Sequence, residues 1–243
     1  MSNLEITLHW IYVAIMFGTA VVFQIMARDQ KLIPGYKYLI HTFIVVWSGL
    51  AYAAIAFGKG QTVYDDTTVY YARYIDWVVT TPLLLLSLVL TGKYSISMQG
   101  TLTPALLGTQ VIMIVTGLVA ELSTGTAQWF YYIAGCVALV VVLGIMWGPL
   151  LAKAKGQDEA IHQVYRKSAM FLTFQWLAYP TVWLIGVQGL GLLNKETTTV
   201  LFIILPIISK AGFGLYNLYL LRSLPLSIRQ EAHQHHQQKA IPG

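Results

Sequence analysis

Three ionisable side chains stand inside long apolar runs of this 243-residue sequence: Arg73 and Asp76 in YYARYIDWVVTTPLLLLSLVLTG, and Lys210 in LFIILPIISKAGFGLYNLYLL. Keeping a charge in such surroundings costs several kcal/mol, which makes each of them a functional candidate. Lys210 is near the middle of its run, where a free ammonium is strongly disfavoured. A neutral amine in an apolar pocket is the group that condenses with an aldehyde to an imine, and a protonated imine needs an anion beside it. Asp76 is the carboxylate at matching depth. The pair reads as the attachment point and counterion of a carbonyl cofactor, or as a structural lock between two helices.

Arg73 and Asp76 are three residues apart and share a helical face. Thr80 and Ser87 follow on that face, with Ser87 roughly 16 Å further along at about 1.5 Å per residue. The column is a polar path or a packing stripe satisfied by neighbouring helices. Trp176, Tyr179 and Trp183 recur at spacings of three and four in FQWLAYPTVWLIG and so line one face. With Trp77 opposite, and Met113, Thr116 and Gly117 as further walls, flat rings form a slot for a rigid conjugated chain. The single cysteine, Cys136, has no partner and is expected as a small buried residue. No metal-ligand cluster, no nucleophile with an oriented base and no phosphate-binding loop is present, so metal binding and enzymatic catalysis are not expected.

The elements that must position these residues follow from composition. The chain is 56% hydrophobic and 10% charged, against roughly 25% charged for an average soluble domain. About 20 apolar residues cross a bilayer as a helix, and seven such stretches are present: 4–27, 35–57, 69–91, 101–121, 128–151, 160–186 and 198–222. An all-α bundle of seven transmembrane helices is expected, as one domain over 1–225 followed by a polar, disordered tail over 226–243. The first stretch has no basic leader and no small-residue cleavage site, so it is expected to be retained as a helix. Eleven basic residues fall on one side of the membrane (Arg28, Lys31, Lys37, Lys93, Lys153, Lys155, Arg166, Lys167, Arg222, Arg229, Lys239) and two, Lys59 and Lys195, on the other. Basic residues favour the cytoplasm, which puts the N-terminus outside, the C-terminus inside, and the protein in the plasma membrane in contact with lipid. The net charge of +5 is therefore a topology signal and not a nucleic-acid footprint. His233, His235 and His236 belong to the solvated tail.

Three segments carry a family resemblance. RYIDWVVTTPLLLL, WLAYPTVW and SKAGFG, at these separations, resemble the microbial rhodopsins, and the similarity covers essentially the whole chain. The resemblance implies retinal bound covalently to Lys210 as a Schiff base, with Asp76 as counterion and proton acceptor. It further implies a pocket of Trp77, Thr81, Leu84, Met113, Gly117, Trp176, Tyr179, Pro180, Trp183, Pro206 and Ser209. Protons would pass by Arg73, Thr80, Ser48, Tyr52, Ser87, His41 and Asn217. Leu84 implies green absorption, and relatives commonly assemble as trimers or other small rings.

Two positions depart from the outward-pumping pattern of that family. Pro206 replaces the second carboxylate one turn before the lysine, and proline should disturb the helix there. Ser87 replaces the acidic donor of the third helix. Pro206, the WSGLAY run of Trp47 to Tyr52 and the N-terminal LHWIYVA resemble the xenorhodopsin branch, which includes a cyanobacterial sensory rhodopsin and inward proton pumps. His41, seven residues before Ser48, is a base able to take a proton at ordinary pH. Asn217 stands where the sensory protein has an aspartate. The expected function is light-driven inward proton transport. A photosensor acting on a separate soluble transducer is the alternative, and an outward pump is the weaker one.

Overall fold

A computed structural model describes residues 2–29, 33–64, 67–94 and 100–231. The seven apolar stretches form seven long helices: α1 (Asn3–Ala27), α2 (Gly35–Ala56), α3 (Tyr71–Gly92), α4 (Leu102–Glu121), α5 (Gly125–Lys155), α6 (Glu159–Ile185) and α7 (Lys195–Arg222). Six of them are long and apolar enough to cross a membrane on composition alone; α6 is the exception. Its first turns carry Glu159, His162, Arg166 and Lys167, and its second half spends positions on Gln175, Trp176 and Tyr179. Helix starts are capped where the chain emerges from the apolar zone. Ser2 and Glu5 form a reciprocal capping box, with bonds of 3.2 and 2.8 Å, while Asp158 accepts from Ala160 N at 2.7 Å and Asn194 from Thr197 N at 2.8 Å.

Each helix packs on its neighbour in sequence, and α7 returns to α1 and α2, so the bundle closes into a ring. α3 also touches α6 across the ring and is the most enclosed element. Tyr12, Ile44, Leu84, Leu85, Tyr165 and Phe213 are completely buried, whereas Leu39, Phe43, Val140 and Phe174 point outward as a lipid-facing surface must. Buried threonines satisfy themselves within their helices: Thr80, Thr81 and Thr91 donate to the carbonyl four residues earlier at 2.8, 2.8 and 2.9 Å.

The proline-induced disturbance of α7 takes the form of a π-helical segment, Ile207–Gly212, directly after Pro206. Proline supplies no N–H, so the ladder loosens and widens there instead of breaking. A second π segment, Met146–Leu150, surrounds Pro149 in α5, and the Tyr165 hydroxyl donates to its Met146 carbonyl at 2.6 Å. One element lies outside the all-helical expectation: strands β1 (Thr62–Tyr64) and β2 (Thr67–Val69) pair antiparallel between α2 and α3, with Thr62 opposite Val69. Their β-branched residues favour extended backbone, and Lys195 Nζ donates to Thr68 Oγ1 at 3.2 Å, fastening the hairpin to the start of α7. The first part of the tail expected over 226–243 is ordered. Residues 226–231 are helical and Ile228 is buried in the same cluster as Leu224, because an apolar residue one turn past the bundle can still reach it. Residues 232–243, with His233, His235 and His236, lie outside the described residues.

At the end of α3 the approach to α6 leaves no room for a side chain. A Cβ on Gly92 would sit 2.7 Å from Tyr165 Cδ2 and 2.9 Å from Cε2, and that ring is pinned by its hydroxyl. Gly92→Ala is expected to destabilise the protein by about 1–3 kcal/mol through overpacking. Loss of helical signal on heating in detergent micelles measures this, with Gly108→Ala, which meets nothing within 4 Å, as the control expected to show no loss.

Candidate functional site

α3 and the π segment of α7 bring the two central charges together. Lys210 Nζ donates to Asp76 Oδ2 at 2.7 Å, and the two residues are 1% and 0% exposed. A buried pair of this kind is held only when its remaining lone pairs are satisfied. Here Ser48 Oγ donates to the same Oδ2 at 3.0 Å, and Thr80 Oγ1 lies 3.3 Å from Oδ1. A hydroxyl has one proton to give. Since Ser48 gives its proton to Asp76, Tyr12, 2.5 Å away, is the donor to Ser48. Tyr12 in turn stacks on Tyr52 at 3.8 Å, and Tyr52 donates to the Phe202 carbonyl at 3.1 Å.

Toward the face of the bundle where α1 begins, Arg73 is buried, with its guanidinium 4.2 Å from the Tyr70 ring and 5.8 Å from the Phe202 ring. It does not pair with Asp76: among the described residues the ion pairs are Lys210–Asp76 and His162–Glu159. Sharing a face three residues apart placed both on one column, but the lysine from α7 takes the carboxylate. His9 is also fully buried here, its Nδ1 donating to the Glu5 carbonyl at 2.6 Å. The Tyr74 hydroxyl donates to Glu121 at the end of α4.

On the opposite side of Lys210 an apolar layer intervenes. Ile44 lies between Ser48 and His41 on α2, Leu84 between Thr80 and Ser87 on α3, and Phe213 between Lys210 and Asn217 on α7; all three are fully buried in one cluster. Beyond it stands a second polar cluster. His41 Nε2 is 2.9 Å from Ser87 Oγ and 3.4 Å from Asn217 Oδ1, and Ser87 Oγ donates to Asn217 Oδ1 at 3.3 Å. The Asn217 amide nitrogen donates to Ser168 Oγ at 3.0 Å and Thr91 Oγ1 at 3.2 Å, so its orientation is fixed. Ser87, His41 and Asn217 therefore assemble as the sequence grouped them, with Ser168 and Thr91 as members it did not mark. Lys37 departs from the topology reading. Placed there at a helix end with access to water, it is in fact 0% exposed, two residues into α2 with the rings of Tyr94 and Tyr36 at 5.5 and 5.9 Å from its Nζ.

A predominantly apolar cavity opens beside the pair between α3, α4, α5 and α6. Concave, mostly apolar spaces of this kind are where proteins hold small molecules. Trp77, Thr81, Met113, Gly117, Trp176, Tyr179, Pro180 and Trp183 line it. Leu84, Pro206 and Ser209 do not: Leu84 packs in the apolar layer, Pro206 is buried within α7, and Ser209 is 3.0 Å from the Tyr179 hydroxyl behind the cavity wall. Thr116 faces α5, where a Cβ on Gly135 would meet its hydroxyl at 3.1 Å. The α5 wall, Tyr132, Gly135, Cys136 and Leu139 at i, i+3, i+4 and i+7, was missed. Cys136 is accordingly half-exposed at a cavity and not a packed core residue. Tyr132 stacks on Trp183 at 4.6 Å, while Trp77 meets Tyr179 edge-on at 5.2 Å.

The arrangement suits a long, flat, apolar aldehyde. Aromatic walls flank the space, glycines 117 and 135 thin two of its sides, and the buried indole nitrogens of Trp77, Trp176 and Trp183 have no hydrogen-bond partner among the described residues. Lys210 supplies the amine behind Tyr179, with an anion already in contact.

Comparison with known proteins agrees with this geometry. Residues 3–224 match the family described as Bacteriorhodopsin-like protein. Bacteriorhodopsin of Halobacterium salinarum is 32% identical over 233 residues, 92% of this chain and 86% of that relative. The thermophilic rhodopsin of Rubrobacter xylanophilus superposes with a TM-score of 0.84 at 33% identity, covering 96% of this chain and 99% of that one. The light-driven proton pump of Coccomyxa subellipsoidea superposes with a TM-score of 0.82 at 28% identity, covering 90% and 97%. A multi-pass membrane bundle with a buried lysine beside an aromatic cavity, matched along its length in sequence and fold, makes the chain a member of the bacteriorhodopsin-like family of microbial rhodopsins.

Proposed function

We propose that this protein is a light-driven pump that carries protons inward, with retinal attached at Lys210 through a Schiff base and Asp76 as its counterion. The observation that carries the direction is the asymmetry about Lys210. Among the described residues, the carboxylates held inside the bundle lie on the side where α1 begins: Asp76 in contact with the lysine, then Glu5 and Glu121, whereas Asp158 and Glu159 on the other side are exposed at its surface. On the other side, past Ile44, Leu84 and Phe213, the polar groups are Ser87, Asn217, Thr91, Ser168 and the base His41. Eleven basic residues against two assign that second side to the cytoplasm.

When bound, retinal supplies light absorption and a change of shape at the Lys210 nitrogen. The protein's own groups set where a proton goes from there. Toward the cytoplasm, His41 is the acceptor, at the Nδ1 that no group among the described residues holds, while Ser87 and Asn217 engage its Nε2; among the described residues no carboxylic acid stands in that cluster to send a proton back toward Lys210. Toward the outside, a proton taken up from the outer water by the Asp76 carboxylate passes from it to the lysine nitrogen, with Asp76 oriented by Ser48 and Thr80 and backed by the Tyr12 hydroxyl. Arg73 lies beyond them, its charge spread over the faces of Tyr70 and Phe202. Pro206, together with the WSGLAY and LHWIYVA runs, supports a place in the xenorhodopsin branch. An outward pump would need a donor acid at Ser87, and a photosensor has no dedicated support in this geometry.

Cells expressing the protein with retinal are expected to make an unbuffered medium more alkaline on illumination, an effect removed by a protonophore; light-driven acidification would contradict the inward direction. Lys210→Ala is expected to abolish the hydroxylamine-sensitive visible band altogether, since among the described residues Lys210 supplies the amine that contacts Asp76. Replacing His41 with phenylalanine should cut inward transport at least about tenfold, in line with the roughly 10²–10⁴ that a positioned acid–base group contributes. The visible band should stay put in that variant, and unchanged transport would remove His41 from the path.

A further inference from the structure

The cytoplasmic half holds a fully buried basic group that this pathway does not use. Lys37 is four residues before His41 on α2 and therefore on the same face, one turn nearer the end of the bundle. It is 0% exposed, and its Nζ has no hydrogen-bond partner among the described residues. Its neighbours are rings: Tyr94, just past the end of α3, at 5.5 Å and Tyr36 at 5.9 Å. Burial pushes the Tyr94 phenol up to about 12, so near neutral pH it offers Lys37 a π face and not an anion. Other basic groups nearby, Arg229 beside Tyr94 and Arg222 bonded to Tyr38, bring no negative charge.

A permanent ammonium in this place costs several kcal/mol, and cation–π contacts return only about 0.5–2 kcal/mol each. An amine that is charged only while a proton passes does not carry that cost continuously. His41 stands one turn further into the bundle on the same helix face. Its Nε2 is engaged by Ser87 and Asn217, while its buried Nδ1 has no hydrogen-bond partner among the described residues. Gly214 lets α7 pack directly against this ring and that of Phe23: a Cβ there would sit 3.2 Å from Nδ1 and 2.6 Å from Phe23 Cζ. A free imidazole nitrogen takes up a proton and can pass it on.

We propose that Lys37 is the last proton-relay group of the cytoplasmic half, taking a proton from His41 and releasing it to water at the cytoplasmic face. The proposal rests on the inward reading above. In the step, the Nδ1–H bond of the imidazolium breaks and an N–H bond forms on the Lys37 amine, directly or through one water. The ammonium then gives its proton to cytoplasmic water, and both groups end neutral.

The test uses the full chain with retinal in lipid vesicles, with the pH dye pyranine on the side of the cytoplasmic face, after a single flash. Wild-type protein should release a proton to the dye. Lys37→Met, which has no base, and Lys37→Arg, which cannot give up its proton at neutral pH, should each slow that release at least tenfold. Lys37→His, which keeps a titratable base, should recover most of the rate, and the visible band should be unchanged in all three. A merely structural lysine would not produce that ordering. Release within twofold of wild type in both Lys37→Met and Lys37→Arg overturns the role of Lys37 while leaving the inward reading intact; if Lys37→Met yields no coloured protein, Lys37→Arg decides alone. Release by wild-type protein on the outer side overturns the inward reading, and the release role with it.

Discussion

The contact between Lys210 and Asp76 sets the terms for the rest of the structure. In a bundle surrounded by lipid neither charge could stand alone, and each is affordable only because the other is 2.7 Å away. That requirement fixes the depth of α3 against α7 and calls up the hydroxyls of Ser48, Thr80 and Tyr12 around the carboxylate. It also explains why Arg73 turns to the rings of Tyr70 and Phe202 although it shares a helical face with Asp76. The anion is already taken.

Around that pair the polar interior is divided. Ile44, Leu84 and Phe213, one from each of three helices, separate the cluster at Asp76 from the cluster at His41. A proton cannot cross such a layer through standing hydrogen bonds, so passage requires a change at the Lys210 nitrogen or the entry of water. The π segment that holds Lys210 is the local feature that distinguishes this part of α7 from an ordinary helix, and it follows from Pro206. Proline there has two effects at once: it removes a carboxylate position and it loosens the backbone that carries the amine.

Much of this was legible in the sequence, for identifiable reasons. Charges are so scarce in apolar runs that Arg73, Asp76 and Lys210 stand out individually, and the spacing of Trp176, Tyr179 and Trp183 reveals one face of α6. The seven helices follow from apolar length, each within a few residues of its observed bounds. What was hidden has physical causes too. Helix α5 is apolar all round, so the face that lines the cavity, including Tyr132 and Cys136, does not differ in composition from the face toward lipid. Tyr12 and His9 are ordinary residues of a membrane helix until the fold places them beside Ser48 and Glu5. Lys37 is near a helix end in sequence, and only packing shows that this end is covered. Leu84, Pro206 and Ser209 were expected at the cavity from the family resemblance, whereas Leu84 packs in the apolar layer, Pro206 is buried within α7 and Ser209 is 3.0 Å from the Tyr179 hydroxyl.

The account stands on Asp76 being the anion that faces the retinal linkage at Lys210, and the visible spectrum of Asp76→Asn reconstituted with retinal tests this most directly. Removing the anion weakens the electrostatic hold on positive charge at the Lys210 nitrogen, so the absorption band is expected to move to longer wavelength and to lose the acid-induced shift shown by wild-type protein. A band at the wild-type position with the acid-induced shift intact would contradict the account, because another group would then be holding that charge.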